Sequence, residues 1–226
     1  MKKVKKFELT NEFITNMFGT KLFRIRALVE FGDVEAGELG GYVEKESNLG
    51  HDDNAWVYDN AWVYGDAQVS GDALVYDNAR VYDNAWVYGD AQVSGDALVY
   101  DNARVYGDAQ VSGDARVYDN AWVYGDAQVS GDALVYDNAW VYGDARVCGD
   151  ARVCGNGDYA YAHGFGSVNR TTTFFRLKDG GVGVRCGCFY GTLAQFRDKI
   201  RETHGETKKA QEYLMLADLM KLRFEK

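Results

Sequence analysis

From Val57 to Asp158 apolar and polar positions alternate inside a six-residue unit that repeats without interruption. Valine stands at 57, 63, 69 and every sixth residue to 153, and alanine stands two residues before each, from Ala55 to Ala151. Each unit reads Ala-x-Val-x followed by Gly-Asp, Asp-Asn or Gly-Asn. The period of two within Ala-x-Val-x predicts a short strand with alanine and valine inward and the two variable residues outward. Glycine, asparagine and aspartate supply the corner, because they accept positive φ or bond the local backbone. A repeat of six fits no helical period.

Four-residue strands joined by two-residue corners resemble the hexapeptide repeat of the left-handed parallel β-helix. The resemblance implies a mainly β fold, a triangular solenoid with three hexapeptides per coil, closed by small α+β caps. The left hand comes from the resemblance alone, since spacing does not determine it. A right-handed quadrilateral helix of pentapeptides would need a period of five. Taking every eighteenth residue as stacked, the outward positions sort into three faces. One carries Gln92, Gln110 and Gln128 beside Ser94, Ser112 and Ser130 and is expected to be solvated. A second stacks Tyr64, Tyr82, Tyr100, Tyr118 and Tyr136 beside Arg80, Leu98, Arg116 and Leu134. The third stacks Tyr88, Tyr106, Tyr124 and Tyr142 beside Trp86, Arg104, Trp122 and Trp140. Such aromatic ladders stabilise a sheet by roughly 0.2–1 kcal/mol per pair, and they also predict a contact surface for a partner or a second copy.

The repeat divides the chain into an N-terminal cap over residues 1–50, a solenoid over 51–158 and a C-terminal cap over 159–226. Caps are required because terminal coils would otherwise expose core and strand edges. Thr10 is expected to N-cap a helix through Met17, with Phe13, Ile14, Met17 and Phe18 on its apolar side and Gly19 as its stop. Lys21 to Leu28 alternates like a strand, and Val43 and Leu49 are the first inward residues. Tyr159 to Arg170 reads as a connector. Thr171 to Lys178 and Val182 to Cys188 then form a hairpin around Asp179-Gly180-Gly181. Helices follow over about 192–204 and 207–224. In the second, Ala210, Tyr213, Leu214, Ala217, Met220 and Phe224 make a stripe that Met215, Leu216, Leu219 and Leu222 widen. So broad a stripe predicts one side on the last coil and the other on a sister chain.

The flanks are similar to hexapeptide-repeat proteins encoded by phages and prophages. The residues that carry this are Leu22-Phe23-Arg24-Ile25-Arg26-Ala27-Leu28, Phe31-Gly32-Asp33-Val34, Leu39-Gly40-Gly41-Tyr42-Val43-Glu44, Thr172-Thr173-Phe174-Phe175, Cys186-Gly187-Cys188-Phe189 and Gly191-Thr192-Leu193. That resemblance implies a phage setting and action inside a bacterial host.

With 34 acidic against 25 basic residues the net charge is −9, which makes free nucleic acid a poor partner. The charge is unevenly distributed. Residues 51–158 hold 19 aspartates and 5 arginines, net −14, whereas residues 159–226 are net +5. Every corner from residue 59 to 150 contains one aspartate, in columns that include Asp96, Asp114 and Asp132, Asp101, Asp119 and Asp137, and Asp108 and Asp126. At ~4.8 Å per coil, three carboxylates give about one charge per 1.6 Å of axis, against about 1.7 Å for duplex DNA. Aspartate is an ordinary corner residue, yet asparagine would serve corners without the repulsion. Neither a membrane span nor a signal peptide is expected, Met1–Lys6 having no apolar run behind it, and four cysteines are too few for a disulfide scaffold. A cytoplasmic location follows as the expectation.

Chemistry has few candidates. Acyltransferases resembling this fold use a histidine base with acyl-CoA lying along the coils, and only His51, His163 and His204 exist, none within the repeats. Cys186 and Cys188, with His163 or His204, are weak zinc candidates, and calcium between stacked aspartates lacks the glycine-rich nonapeptide that would support it. Cys148 and Cys154 sit outward on successive faces, an unfavourable geometry for a disulfide. The preferred expectation is a non-catalytic binding protein without cofactor: a homo-oligomeric, acidic, aromatic-walled rod that occupies a basic host protein as a nucleic-acid mimic. Alternatives are an acyltransferase acting between subunits with His163 or His51 as base, a small-nucleotide sponge using Arg80, Arg104 or Arg116, and a structural assembly protein.

Overall fold

Each Ala-x-Val-x segment pairs in parallel with the segment eighteen residues further on. Gln92 stands opposite Gln110 and Gln110 opposite Gln128, Leu98 opposite Arg116, and Trp122 opposite Trp140. Repetition of this register builds three sheets and a three-sided parallel β-solenoid of about six turns, seen in a computed structural model that describes residues 5–166 and 170–225. Every repeat alanine from 55 to 151 and every repeat valine from 57 to 153 is at most 1% exposed. Three strands converge on one axis, and these side chains fill the interior between them. Consecutive corners touch: a Cβ at Gly107, where φ is +71°, would lie 3.1 Å from the Gly125 nitrogen.

The N-terminal cap prolongs one sheet. Strands β1 (Phe7–Thr15) and β2 (Lys21–Ala27) are antiparallel, β2 is antiparallel to β3 (Leu39–Val43), and β3 joins Trp62–Val63 in parallel. The helix expected from Thr10 to Met17 is therefore a strand. Phe13 and Ile14 pair with Phe23 and Leu22 across the hairpin, and this cross-strand pairing overrides the helical spacing. Gly19 ends no helix; it sits at φ +83° in the hairpin turn, where the Asn16 carboxamide oxygen accepts from the Phe18 and Thr20 amides at 3.0 Å. Val43 and Leu49 are buried as expected, but each is paired twenty residues on, with Val63 and Val69. The segment 51–54 takes up the two additional residues before the eighteen-residue register begins with Trp56 opposite Leu74. Lys6 closes the end of the core, donating from Nζ to the carbonyls of Ala55 at 2.8 Å and Asp53 at 3.2 Å. Burial lowers its pKa to about 8 against the opposing pull of Asp53 and Asp52. Residues 1–4 of the Met1–Lys6 stretch lie outside the described residues.

At the other end the predicted connector is a strand, Tyr159–Phe165, and residues 167–169 lie outside the described part. It pairs antiparallel with Arg170–Arg176, which pairs with Val182–Cys186 and that with Phe189–Thr192. Its alternating Tyr-Ala-Tyr-Ala places Tyr159 opposite Phe175 and Tyr161 opposite Thr173, pairings that outweigh the glycine spacing that suggested a link. One side of this sheet closes the solenoid, with Tyr159, Phe175 and Leu177 joining the alanine-valine core. On its other side Phe174 and Val184 pack with helices α1 (Leu193–His204) and α2 (Lys208–Phe224). Helix α2 thus rests on the cap sheet rather than on the last coil, because the sheet intervenes. Its other flank, Met215, Leu219 and Leu222, is 71%, 54% and 69% exposed. Among the described residues no helix is long and apolar enough to cross a membrane.

The closed core makes a direct prediction. Val105→Thr keeps the shape but buries an unpaired hydroxyl, and chemical denaturation is expected to show a loss of roughly 1–3 kcal/mol. Gln110→Thr, outward on a neighbouring strand, is expected to stay within about 0.5 kcal/mol of the parent.

Candidate functional site

Corner geometry separates the aspartates into two kinds. Six occupy the positive-φ position themselves, Asp59, Asp77, Asp83, Asp101, Asp119 and Asp137, at φ 50–59°. Four of these carboxylates reach along the axis: Asp59 accepts from the Asp77 amide at 3.3 Å, Asp77 from the Gly95 amide at 3.0 Å, Asp119 from the Asp137 amide at 3.4 Å, and Asp83 from the Asp101 backbone. These bonds satisfy backbone donors of the next coil, so this aspartate serves the corner. Burial, reinforced by the charge of Asp101, raises the pKa of Asp83 above the ordinary carboxylate range.

The second kind follows a glycine that takes the positive φ, as at Gly89, Gly107 and Gly125. Asp90, Asp96, Asp108, Asp114, Asp126 and Asp132 are all exposed, and their carboxylates carry no hydrogen bond or ion pair within the described residues. In chain order Asp90, Asp108 and Asp126 precede, and Asp96, Asp114 and Asp132 follow, the strands of Gln92, Gln110 and Gln128. Both free rows therefore border a single face, the polar one. At the cap end the rows are met by other groups: Asp144 lies 3.9 Å from His163 Nδ1, and the Tyr190 hydroxyl donates to Asp150 at 3.3 Å. With coils ~4.8 Å apart, the two rows present about one carboxylate per 2.4 Å, sparser than the phosphates of a duplex at about 1.7 Å. On the third edge Asp83, Asp101, Asp119 and Asp137 take the positive φ themselves, and the carboxylates of Asp83 and Asp119 bond the next coil, which lowers the density of free carboxylates below the value counted from all three edges.

The other two faces carry the aromatic ladders. Tyr64, Tyr82, Tyr100, Tyr118 and Tyr136 stack at 4.9–5.2 Å with rings within 6° of parallel. Tyr88, Tyr106, Tyr124 and Tyr142 stack at 4.8–5.4 Å. Beside them Arg104 lies between Trp86 and Trp122, 5.2 and 5.0 Å from their centroids, and Arg80 lies 4.2 Å over Trp62. These guanidinium faces are engaged by the chain's own rings. Burial within the ladders raises the phenol pKa values of Tyr64, Tyr82, Tyr100, Tyr118, Tyr136, Tyr106 and Tyr124, keeping them neutral.

The histidines are not brought together. His51 accepts from the Lys6 amide through Nδ1 at 3.3 Å and stacks on Phe7 at 4.4 Å, inside the N-terminal cap. His163 Nδ1 lies 2.9 Å from the Thr171 hydroxyl, next to a polar cleft lined by Asp144, Arg146 and Arg170. His204 stands over Tyr213 at 5.9 Å and shares a small cleft with Cys186 and Cys188. Among the described residues no three His, Cys, Asp or Glu side chains converge as metal ligands, and the four cysteines are unpaired. Cys148 is raised in pKa by burial, and Cys154 donates to the Asp158 carboxylate at 3.0 Å. Sequence reasoning missed the clefts at the junction of rod and cap, since they depend on the unforeseen strand Tyr159–Phe165.

Residues 67–79, 73–89, 91–107, 109–125 and 127–143 match the family model described as the YdcK beta solenoid repeat. The last four matches begin eighteen residues apart, one per coil. No curated protein sequence matches the chain.

The ladders predict a pH response. Tyr64, Tyr82, Tyr100, Tyr106, Tyr118, Tyr124 and Tyr136 hold their protons more tightly folded than unfolded, so this stabilisation is complete below about pH 10 and is lost as pH rises through the folded values. Absorbance titration near 295 nm is expected to show these seven tyrosines ionising above the free-tyrosine range together with unfolding, whereas in denaturant all 16 titrate near 10.

Proposed function

We propose that this protein is a non-catalytic binding protein, of the kind phages carry, whose acidic rod occupies a basic surface of a host protein in the cytoplasm and stands in for nucleic acid there. The observation that carries the reading is the pair of carboxylate rows bordering the Gln92–Gln110–Gln128 face, each exposed and serving no corner. Two parallel lines of charge on a stiff support offer a basic groove what two phosphate backbones offer. The row Asp90–Asp108–Asp126 lies beside the face of Trp86, Trp122, Trp140 and the Tyr88–Tyr142 ladder, which supplies apolar anchors next to the charge. The exposed flank of α2 supports association of copies into a dimer or trimer.

The test is affinity capture from a bacterial lysate at about 50 and about 300 mM salt, with Asp96, Asp114 and Asp132 replaced together by asparagine as control. A basic protein held at low salt, released at high salt and not held by the triple variant is the expected outcome. Equal capture by parent and variant, independent of salt, contradicts the reading.

His163 favours a second reading, acyl transfer. With Thr171 and Asp144 on Nδ1, its Nε2 is left to act as a base beside a cleft containing Arg146 and Arg170. Turnover of acetyl-CoA with acceptor amines or alcohols, lost in His163→Ala, would establish this reading and displace the first.

A further inference from the structure

The third face ends in an open stack. Along it Trp86, Arg104, Trp122 and Trp140 occupy successive rungs in register, and Trp122 and Trp140 stack at 5.2 Å with 13° between their planes. The strand of Trp140 is the last of its sheet. Eighteen residues on, the next rung would be Asp158, but its carboxylate is turned away to Arg176 Nε at 3.1 Å and to the Cys154 amide at 3.1 Å. No repeat residue therefore covers the outer face of Trp140, which is 43% exposed.

That face opens into a cleft of about 660 Å³ between the last coil and the cap, within the range of roughly 300–1,000 Å³ found for small-ligand sites. Tyr159 and Tyr161 stand as upright walls, nearly perpendicular to the Tyr142 ring at 6.3 and 6.2 Å. The Asn156 carboxamide oxygen is fixed by the Trp140 amide at 2.8 Å, which leaves its NH2 group available to an acceptor. Arg223 from α2 lines the rim, donating to the Asn156 carbonyl at 3.3 Å, and it is the one charged side chain of this lining among the described residues. A flat aromatic plate, upright aromatic walls, an amide donor and one guanidinium select a planar ring that carries a phosphate.

We infer that this cleft binds a purine nucleoside monophosphate, with the base continuing the Trp122–Trp140 stack and the phosphate on Arg223. The site contains none of the row carboxylates, although it shares Trp140 and Tyr142 with the aromatic face beside them. Its failure would leave the acidic-rod reading standing, and loss of capture through those rows would leave this site standing.

The experiment is calorimetric titration of the whole chain with AMP and with GMP, alongside adenosine and ribose 5-phosphate. Saturable binding of a mononucleotide is expected, with adenosine weaker and ribose 5-phosphate not bound. Trp140→Ala is expected to weaken binding by about tenfold or more, as loss of one base-stacking partner does. Arg223→Gln, on the exposed side of a helix, is expected to bring the mononucleotide down to the affinity of adenosine. Trp62→Ala, on a different sheet near the other end of the rod, is expected to bind like the parent, and thermal melts establish that each variant is folded. Absence of binding by both AMP and GMP overturns the inference, as does parent-like affinity in either Trp140→Ala or Arg223→Gln.

Discussion

Strict eighteen-residue register around an alanine-valine core is the constraint on which everything else rests. A core closed around alanine and valine at every coil cannot shift one coil against the next without moving valine out of its slot. Once the inside is fixed, the outside has no freedom either. Tyrosine falls on tyrosine, glutamine on glutamine and carboxylate on carboxylate, at the spacing of paired strands. Some of these coincidences stabilise the rod, as the tyrosine ladders do. Others oppose it, as the free aspartate rows do by repulsion.

That opposition is informative because the corner has a cheaper solution that the chain itself uses. Asp119 at positive φ bonds the Asp137 amide of the next coil and so returns something to the fold. Asp114, after Gly113, bonds nothing among the described residues. A carboxylate placed where the corner does not use it, and repeated on both borders of one face, is a feature of the surface, and it is the one on which the proposed binding function rests. The Gln face looked like plain solvated surface while the two kinds of aspartate were counted together. The free carboxylates border the polar strip on both sides, whereas the Tyr64–Tyr136 wall has a free row along one edge only.

The solenoid was legible in the sequence because its period is short and its core residues do not vary. The inward alanines and valines could be read from Val57 to Val153, and the resemblance to the hexapeptide-repeat β-helix implied the parallel pairing, the three faces and hence the columns. The difference between the aspartates was also written there, in the order Gly-Asp against Asp-Asn, though only the φ values and hydrogen bonds give that order meaning. The caps were read less well. Phe13, Ile14 and Met17 have helical spacing, yet a waiting strand edge turned Phe7–Thr15 into a hairpin arm. Tyr159–Phe165 was hidden by its glycine and by pairing partners that lie beyond it in the chain. Because the Trp140 cleft and the setting of His163 both depend on that strand, neither was visible before the fold was known.

The central claim is that the free rows meet a partner while the corner-serving row does not. The most direct measurement compares the salt dependence of the dissociation constant for a captured partner between two variants. One has Asp90, Asp108 and Asp126 changed to asparagine, and the other has Asp101, Asp119 and Asp137 changed in the same way. The account predicts a weaker complex with a shallower salt slope for the first variant and parent-like values for the second. Equal behaviour of the two variants would contradict it.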